Sequence, residues 1–205
     1  GLRARGEVRL TPGGALEAAR FSRVELGEWL DVQAALIGRG PGVTPAIEVS
    51  GGRADLRGES LGSGTGEGGP VRLALDELRI SEGIALSGFR AELDTRGGTQ
   101  GSFSGQVNGR ATITGDVVPM RGRSAFRIRA QNAGAALAAA GILNDARGGT
   151  LELMLTPAKA EKSYDGVLSI AEHLVCRDVL TDVRVLRRVV HVHVCGEKGV
   201  CCFDL

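Results

Sequence analysis

The sequence predicts a mainly β protein: an extended, curved antiparallel sheet, open and groove-like, carrying one short Ala-rich helix. Three observations predict it. Apolar and polar residues alternate with period two in short runs, as strands with one buried face require. Glycine punctuates the runs, 32 of 205 residues, roughly twice the ordinary share of about 7%. Aromatic residues make up only 3%, so the apolar faces are built from aliphatic side chains.

The runs follow in order. Val8 and Leu10 share one face of the first; Ser22, Val24 and Leu26 alternate with Arg23 and Glu25; Leu30, Val32, Ala34 and Leu36 continue the pattern. Ile47 and Val49 come next, then Ala54 and Leu56 beyond a Gly51-Gly52 turn. Val71, Leu73 and Leu75 alternate with Arg72, Ala74 and Asp76. From Ile84 and Leu86 the apolar parity switches to Phe89, Ala91 and Leu93, which predicts a bulge near Gly88, since one extra residue turns the following side chains to the other face. Phe126 and Ile128 alternate with Arg127 and Arg129, and Leu151, Leu153 and Leu155 with Glu152 and Met154.

Turns are expected at Gly13-Gly14, Gly40-Pro41, Gly51-Gly52, Gly97-Gly98, Asn108-Gly109 and Gly148-Gly149. Asn108-Gly109 is the strongest hairpin signal, because both residues tolerate the positive φ of a type I′ turn. Asn132 predicts the cap of a helix from Ala133 to about Leu143, with Leu137, Ala138, Gly141 and Ile142 on one side, lying close against a sheet. Glu59 to Gly69 reads as a flexible Gly/Ser loop. No strict internal repeat is present, which weighs against a solenoid of fixed period.

Composition narrows the function. Twenty-five Lys and Arg against 24 Asp and Glu leave a net charge of +1, without the basic excess that sequence-blind nucleic-acid binding needs. The scarcity of aromatics removes the stacking platforms of single-strand binders. The uncharged stretch Ala130 to Asn144 is mostly Ala and Gly and too short to span a bilayer. The chain begins at Gly1, as a processed protein or a piece of a longer one would.

Two regions are expected: 1–171, a β-rich domain, and 172–205, a discordant tail. All four Cys (176, 195, 201, 202) and all three His (173, 191, 193) fall in the final 33 residues or on their boundary, where even scatter would put about one. His173 with Cys176, and His191, His193 and Cys195 with Cys201-Cys202, offer zinc-ligand chemistry, the three residues 191, 193 and 195 sharing one face of a strand. The spacing fits no familiar finger, three disulfide partitions stay open, and no metal or cofactor is assigned.

Other motifs lack their context. Gly64-Thr-Gly-Glu-Gly-Gly69 has the form G-x-G-x-x-G, but Pro70 and a strand-like run follow where a phosphate-binding helix is needed. Gly58-Glu-Ser-Leu-Gly62 has the form G-x-S-x-G, with His residues only in the tail. Asp76-Glu77 and the basic cluster of Arg121, Arg123, Arg127 and Arg129 read as solvated strand faces, the Arg residues being a weaker candidate for anionic headgroups. No catalytic residue is assigned, and an enzyme is not expected.

A resemblance adds to this. The stretch Leu75-Asp-Glu-Leu-Arg-Ile-Ser-Glu-Gly-Ile-Ala-Leu-Ser-Gly-Phe-Arg-Ala-Glu-Leu93 opens an order of segments continued by Gly101-Ser-Phe-Ser-Gly-Gln-Val-Asn-Gly109, Ile113-Thr-Gly-Asp-Val-Val-Pro119 and Gly122-Arg-Ser-Ala-Phe-Arg-Ile128. The helix-like Asn132 to Leu143, Gly149-Thr-Leu-Glu-Leu-Met-Leu155 and Tyr164-Asp-Gly-Val-Leu-Ser-Ile170 complete it. Over about residues 16 to 171 this order resembles the C-terminal region of AsmA-like proteins of Gram-negative envelopes, particularly the YhdP-type group. The resemblance implies a segment of a periplasmic, inner-membrane-anchored bridge that carries phospholipid acyl chains along an apolar groove. It implies no covalent chemistry and no nucleic acid. From Glu172 the chain departs from the family pattern, as a frame shift or truncation would make it.

By parity, the residues expected to face lipid are Val24, Leu26, Val71, Leu73, Leu75, Phe126, Ile128, Leu151 and Leu153. The alternative is a structural β-scaffold or adhesin-like module that binds protein. A third class, a hydrolase or zinc enzyme, would rest on the Ser60 motif or the Cys/His tail.

Overall fold

A computed structural model describes residues 1–57, 68–160, 163–178, 181–195 and 199–204, with side chains placed up to residue 171. Its strands are β1 (Leu2–Leu10), β2 (Leu16–Leu26), β3 (Leu30–Ile37), β4 (Ala46–Asp55), β5 (Pro70–Arg79), β6 (Ala85–Asp94), β7 (Gln100–Val107), β8 (Ala111–Met120) and β9 (Arg123–Ala130). A helix α1 (Ala133–Ala139) intervenes before β10 (Ala146–Arg147), β11 (Thr150–Pro157), β12 (Ser163–Asp178), β13 (Thr181–Cys195) and β14 (Gly199–Asp204). All fourteen strands belong to one open sheet that runs in chain order from β1 to β14, with β10 paired to β12 off the main path. The mainly β, curved and open architecture expected from alternation is what forms.

One pair departs from the antiparallel expectation: β4 and β5 are parallel, Val49 opposite Leu73 and Ala54 opposite Leu78. Parallel neighbours need a crossover of about a dozen residues or more, and residues 56–69 supply it. The expected Glu59–Gly69 loop falls mostly outside the described residues.

Gly51-Gly52 is not a turn. Both residues sit inside β4, and the ladder to β3 slips there: Gln33 faces Gly51 while Ala34 faces Val49. Ser50 is therefore the extra residue of a bulge. Gly52 has φ 99°, and a Cβ on it would overlap the backbone of Asp31 and Val32. The same tolerance of positive φ that marks turn glycines suits a bulge, and period-two alternation does not separate the two uses.

The bulge near Gly88 forms as expected. Gly88 has φ 57°, and Gly88 and Phe89 together face the single residue Gly105 between the pairs Ser87–Gln106 and Arg90–Ser104. It belongs to a larger feature. Ladder register shifts occur at Arg5/Gly6, Phe21/Val24, Gln33/Ala34 and Ser87/Arg90, while β4/β5 and β5/β6 keep their register and lack only the pairs between Val49 and Arg53 and at Asp76. The defects line up across the sheet, and at one of them the Asp76 carboxylate accepts the Gly52 N–H at 2.9 Å. Each extra residue bends its strand and raises its twist, so a line of them creases the sheet.

Asn108 (φ 47°) and Gly109 (φ 69°) make the expected hairpin turn, closed by Arg110 N–H donating to Val107 O at 3.0 Å. Helix α1 is shorter than expected. Asn132 Oδ1 accepts the Ala135 N–H at 2.9 Å as its cap. The other end stops at Gly141 (φ 71°), whose N–H donates to Ala138 O while Ile142 N–H donates to Leu137 O. That paired closure is the Schellman motif, so Gly141 ends the helix and does not lie on its packed side. The buried side is Ala133, Gly134, Ala136, Leu137 and Ala139.

The compositional boundary at 171/172 falls inside β12, beside a ladder slip against β13 between Ala171 and Leu174.

Candidate functional site

The ladder registers join the apolar positions into rows that cross the sheet. One row runs Val8, Ala19, Leu36, Ile47, Val71, Leu93, Gly101, Val117, Phe126 and Leu155. The next runs Gly6, Phe21, Ala34, Val49, Leu73, Ala91, Phe103, Gly115, Ile128, Leu153 and Leu168. Beyond the crease a further row runs Leu2, Leu26, Leu30, Ala54, Leu78, Leu86, Val107 and Ala111. The crease keeps them on one face. Leu75 and Leu78 in β5, and Leu86 and Phe89 in β6, are three residues apart yet all buried in one cluster, which a regular strand would not allow. The site is therefore an apolar face, several rows deep, carried across consecutive strands.

All nine residues expected from parity fall on this face. Leu75 and Leu151 are buried in its central cluster; Val24, Leu73, Ile128 and Leu153 pack against that cluster, half-buried. Leu26, Val71 and Phe126 are half-buried at its margins. Phe89, which the parity switch placed, lies there too, and so do Phe21, Phe103 and Ile113, which alternation did not single out. The signal for two of them is a glycine partner: a Cβ on Gly6 would overlap the Phe21 ring, and one on Gly115 the Phe103 ring. Each aromatic ring covers the bare backbone of its neighbour, a known way of pinning strand register.

Helix α1 roofs one end, packed on β8, β10 and β12. Its close approach depends on Gly134, where a Cβ would overlap the Ala146–Arg147 backbone. Its first N–H groups donate to Gly149 O at 2.8 Å and Gly148 O at 2.9 Å. Asn108 fastens the other end of the helix: its Nδ2 donates to Ala139 O at 2.7 Å and Gly83 O at 2.8 Å, while its Oδ1 accepts the Ala85 N–H at 2.9 Å. One side chain thus ties two hairpin tips to the helix terminus.

The opposite face is polar. Arg127 pairs with Glu152 at 2.7 Å, Arg129 with Asp116 at 2.9 Å and Arg72 with Glu48 at 3.4 Å. A shallow depression of about 610 Å³ lies over β1–β4, lined by Arg5, Glu7, Arg20, Gln33 and Glu48 together with Phe21 and Ala34 of the apolar row. The basic cluster expected near Arg121 is spent internally: Arg127 and Arg129 are ion-paired, and Arg123 donates to Ala158 O and Ser163 O while lying over the Tyr164 ring at 4.9 Å.

Among the described residues, the displaced carboxylates are all paired with arginines. Asp31 is lowered by its hydrogen bonds from Arg23, Asp55 by those from Arg57, and Asp94 is held at about 2 by those from Arg96. Each shift makes a surface charge more permanent, the opposite of what a proton-transferring acid needs. Asp76 is engaged by the Gly52 N–H and Glu77 by Arg79.

The remaining motifs take their places. The G-x-S-x-G segment and most of the G-x-G-x-x-G segment lie outside the described residues, and β5 follows the latter where a helix would be required. Backbone register sets His193 between Asp165 and Cys202, and His191 between Val167 and Asp204. Side chains there are beyond the described ones, and among the described residues no three acidic, His or Cys side chains group as metal ligands. No described helix is long and apolar enough to cross a membrane. Comparison with family models, curated proteins and solved structures gives no match to this chain.

Proposed function

We propose that the chain is a segment of a periplasmic bridge that moves phospholipid between membranes, the acyl chains lying along the apolar face. The observation that carries this is the continuity of the apolar rows across consecutive strands of an unclosed sheet. Acyl chains need burial without direction, about 25 cal/mol per Å² of apolar area, and a face of aliphatic rows supplies that without any fixed polar constellation. In the row at the margin Ile47 is 38% exposed, which leaves apolar surface there for a ligand. The resemblance to AsmA-like proteins supplies the envelope location and the inner-membrane anchor of the whole protein.

Native mass spectrometry after detergent-free purification tests the proposal. Phospholipid adducts are expected, reduced severalfold by Ile47→Asp and Val71→Asp, whose marginal positions let the fold tolerate a charge. A folded protein that carries no lipid, and takes none from phosphatidylethanolamine vesicles, overturns it.

A second reading has its own support. At the roofed end the face is closed, with Leu86 and Leu137 each 3% exposed, as in the core of a structural scaffold that binds protein. The lipid-free outcome above is the one it expects.

A further inference from the structure

We propose that the strand pair β13/β14 holds one zinc ion, with His191, His193, Cys202 and Asp204 as its four ligands. The ladder register places them together: His191 stands opposite Asp204, and His193 opposite Cys202. Directly opposed residues of an antiparallel pair share a face, with Cβ atoms about 4.5–5.5 Å apart. Residues two apart on one strand share a face at about 7 Å. The four positions are thus the corners of a patch about 5 Å by 7 Å, a size that suits one ion with its donors at about 2.0–2.3 Å.

The donor set selects the metal. Two imidazoles, one thiolate and one carboxylate are all ordinary zinc donors, and nitrogen with sulfur favours zinc over magnesium and calcium, which take oxygen. The register also separates the two neighbouring cysteines. Val194 pairs with Val200 and His193 with Cys202, so Cys201 is the extra residue of a bulge and only Cys202 enters the row. On the other side of β13, Asp165 of β12 stands in the same row as His193, and a second carboxylate adds negative charge where a dication binds. Asp165 and Val167 alternate with Leu168, which belongs to the second apolar row, so the zinc positions lie on the opposite, polar face of the sheet. Four protein ligands leave the ion no open coordination position, which makes it a structural clamp between β13 and β14 and not a catalytic centre. The inference rests on the register of these strands and stands whether or not the apolar face carries lipid.

Competition with a chromogenic chelator tests it, on the full chain made without a polyhistidine tag, kept reduced and stripped of metal. One equivalent of Zn²⁺ is expected to bind with Kd below about 1 µM, without competition from Mg²⁺. His193→Ala and Cys202→Ser should each weaken binding at least about a hundredfold, since losing a ligand costs more than losing the group that orients it. Cys201→Ser should leave binding unchanged. Co²⁺ in place of Zn²⁺ should show the charge-transfer absorption of a single thiolate–cobalt bond, abolished by Cys202→Ser and kept by Cys201→Ser. Circular dichroism checks that each variant is folded; should His193→Ala or Cys202→Ser unfold, the cobalt spectra of the unaltered chain and of Cys201→Ser decide. Zn²⁺ binding weaker than the stated limit overturns the proposal, and so does binding that survives Cys202→Ser. Binding lost with Cys201→Ser overturns it as well, since that is what a β14 slipped by one residue would give.

Discussion

Val117 and Val8 stand in the same cross-strand row, each in a strand of alternating apolar residues, yet Val117 is 3% exposed and Val8 60%. The difference lies in what surrounds them. Toward β8–β12 the face is bounded by α1, the Asn108 clasp and the Arg123 contacts, and Ile113, Leu151, Leu168 and Ile170 are buried. Among the described residues β1 pairs with β2 alone, and no helix lies over that end. Alternation assigns a residue to a face; its depth is set by the elements that come to lie beside and above that face.

The contrast breaks most readily at the roof. Leu137→Ala removes a nearly fully buried side chain among small neighbours that cannot collapse to fill the gap. It is expected to cost about 3 kcal/mol of unfolding free energy, within the range for buried Leu→Ala changes. Val8→Ala, at an exposed position, should cost no more than about 0.5 kcal/mol, as surface substitutions do. Urea unfolding of the two variants side by side is the measurement. Equal losses would mean that the two ends of the face are not differently supported.

Asn108 sharpens the same comparison. Asn108→Ala removes three hydrogen bonds and forces a Cβ-bearing residue without Asn's tolerance into positive φ, for an expected loss of about 2 kcal/mol. Asn108→Gly keeps the backbone conformation and loses only the bonds, so its loss should be smaller. Amide exchange at Ala85, whose N–H that side chain accepts, should accelerate in both variants, while exchange in β2 and β3 stays unchanged. Below these comes the cap: Asn132→Ala should cost about 1 kcal/mol.

Much of this was legible in the sequence, for local reasons. The Asn108-Gly109 hairpin, the Asn132 cap and the Gly88 bulge each depend on residues within a few positions of one another. So does the assignment of Val24, Leu73, Ile128 and the other six positions to one face. The parallel β4/β5 pair was not legible, because strand direction leaves no mark on alternation. The crease was legible only at Gly88. At Ser22 and Ser50 the extra residue is no glycine, and its effect shows only when the neighbouring strand is in place. Helix α1 was overextended because Gly141 suits a packed helix face as well as a left-handed terminus. Alternation identified the margin of the site, Val71 and Phe126, as readily as its centre, Leu75, and could not rank them by depth.

The smallest expected effect concerns the polar side of the hairpin between β6 and β7. Arg96 donates from its backbone N–H and its Nε to Asp94, at 2.9 and 3.0 Å, and its Nη2 reaches the second carboxylate oxygen. These bonds favour the ionised carboxylate, which holds Asp94 at about 2 against an ordinary value of about 3.9. A folded-state value below the unfolded one means that the contribution to stability is fully present above about pH 4. It is lost as pH falls through about 2, when both states bind the proton. Carboxyl-carbon NMR should therefore give Asp94 a midpoint near 2 in the folded protein. Arg96→Gln should move it most of the way back toward the ordinary value, and the rows of the apolar face should be indifferent to the change. A midpoint near 4 in the unaltered chain would show that the Arg96 pair does not persist in solution. The β6/β7 turn would then rest on Gly97 and Gly98, both of which already adopt positive φ, and on the Gly98 N–H donating to Thr95 O at 3.4 Å.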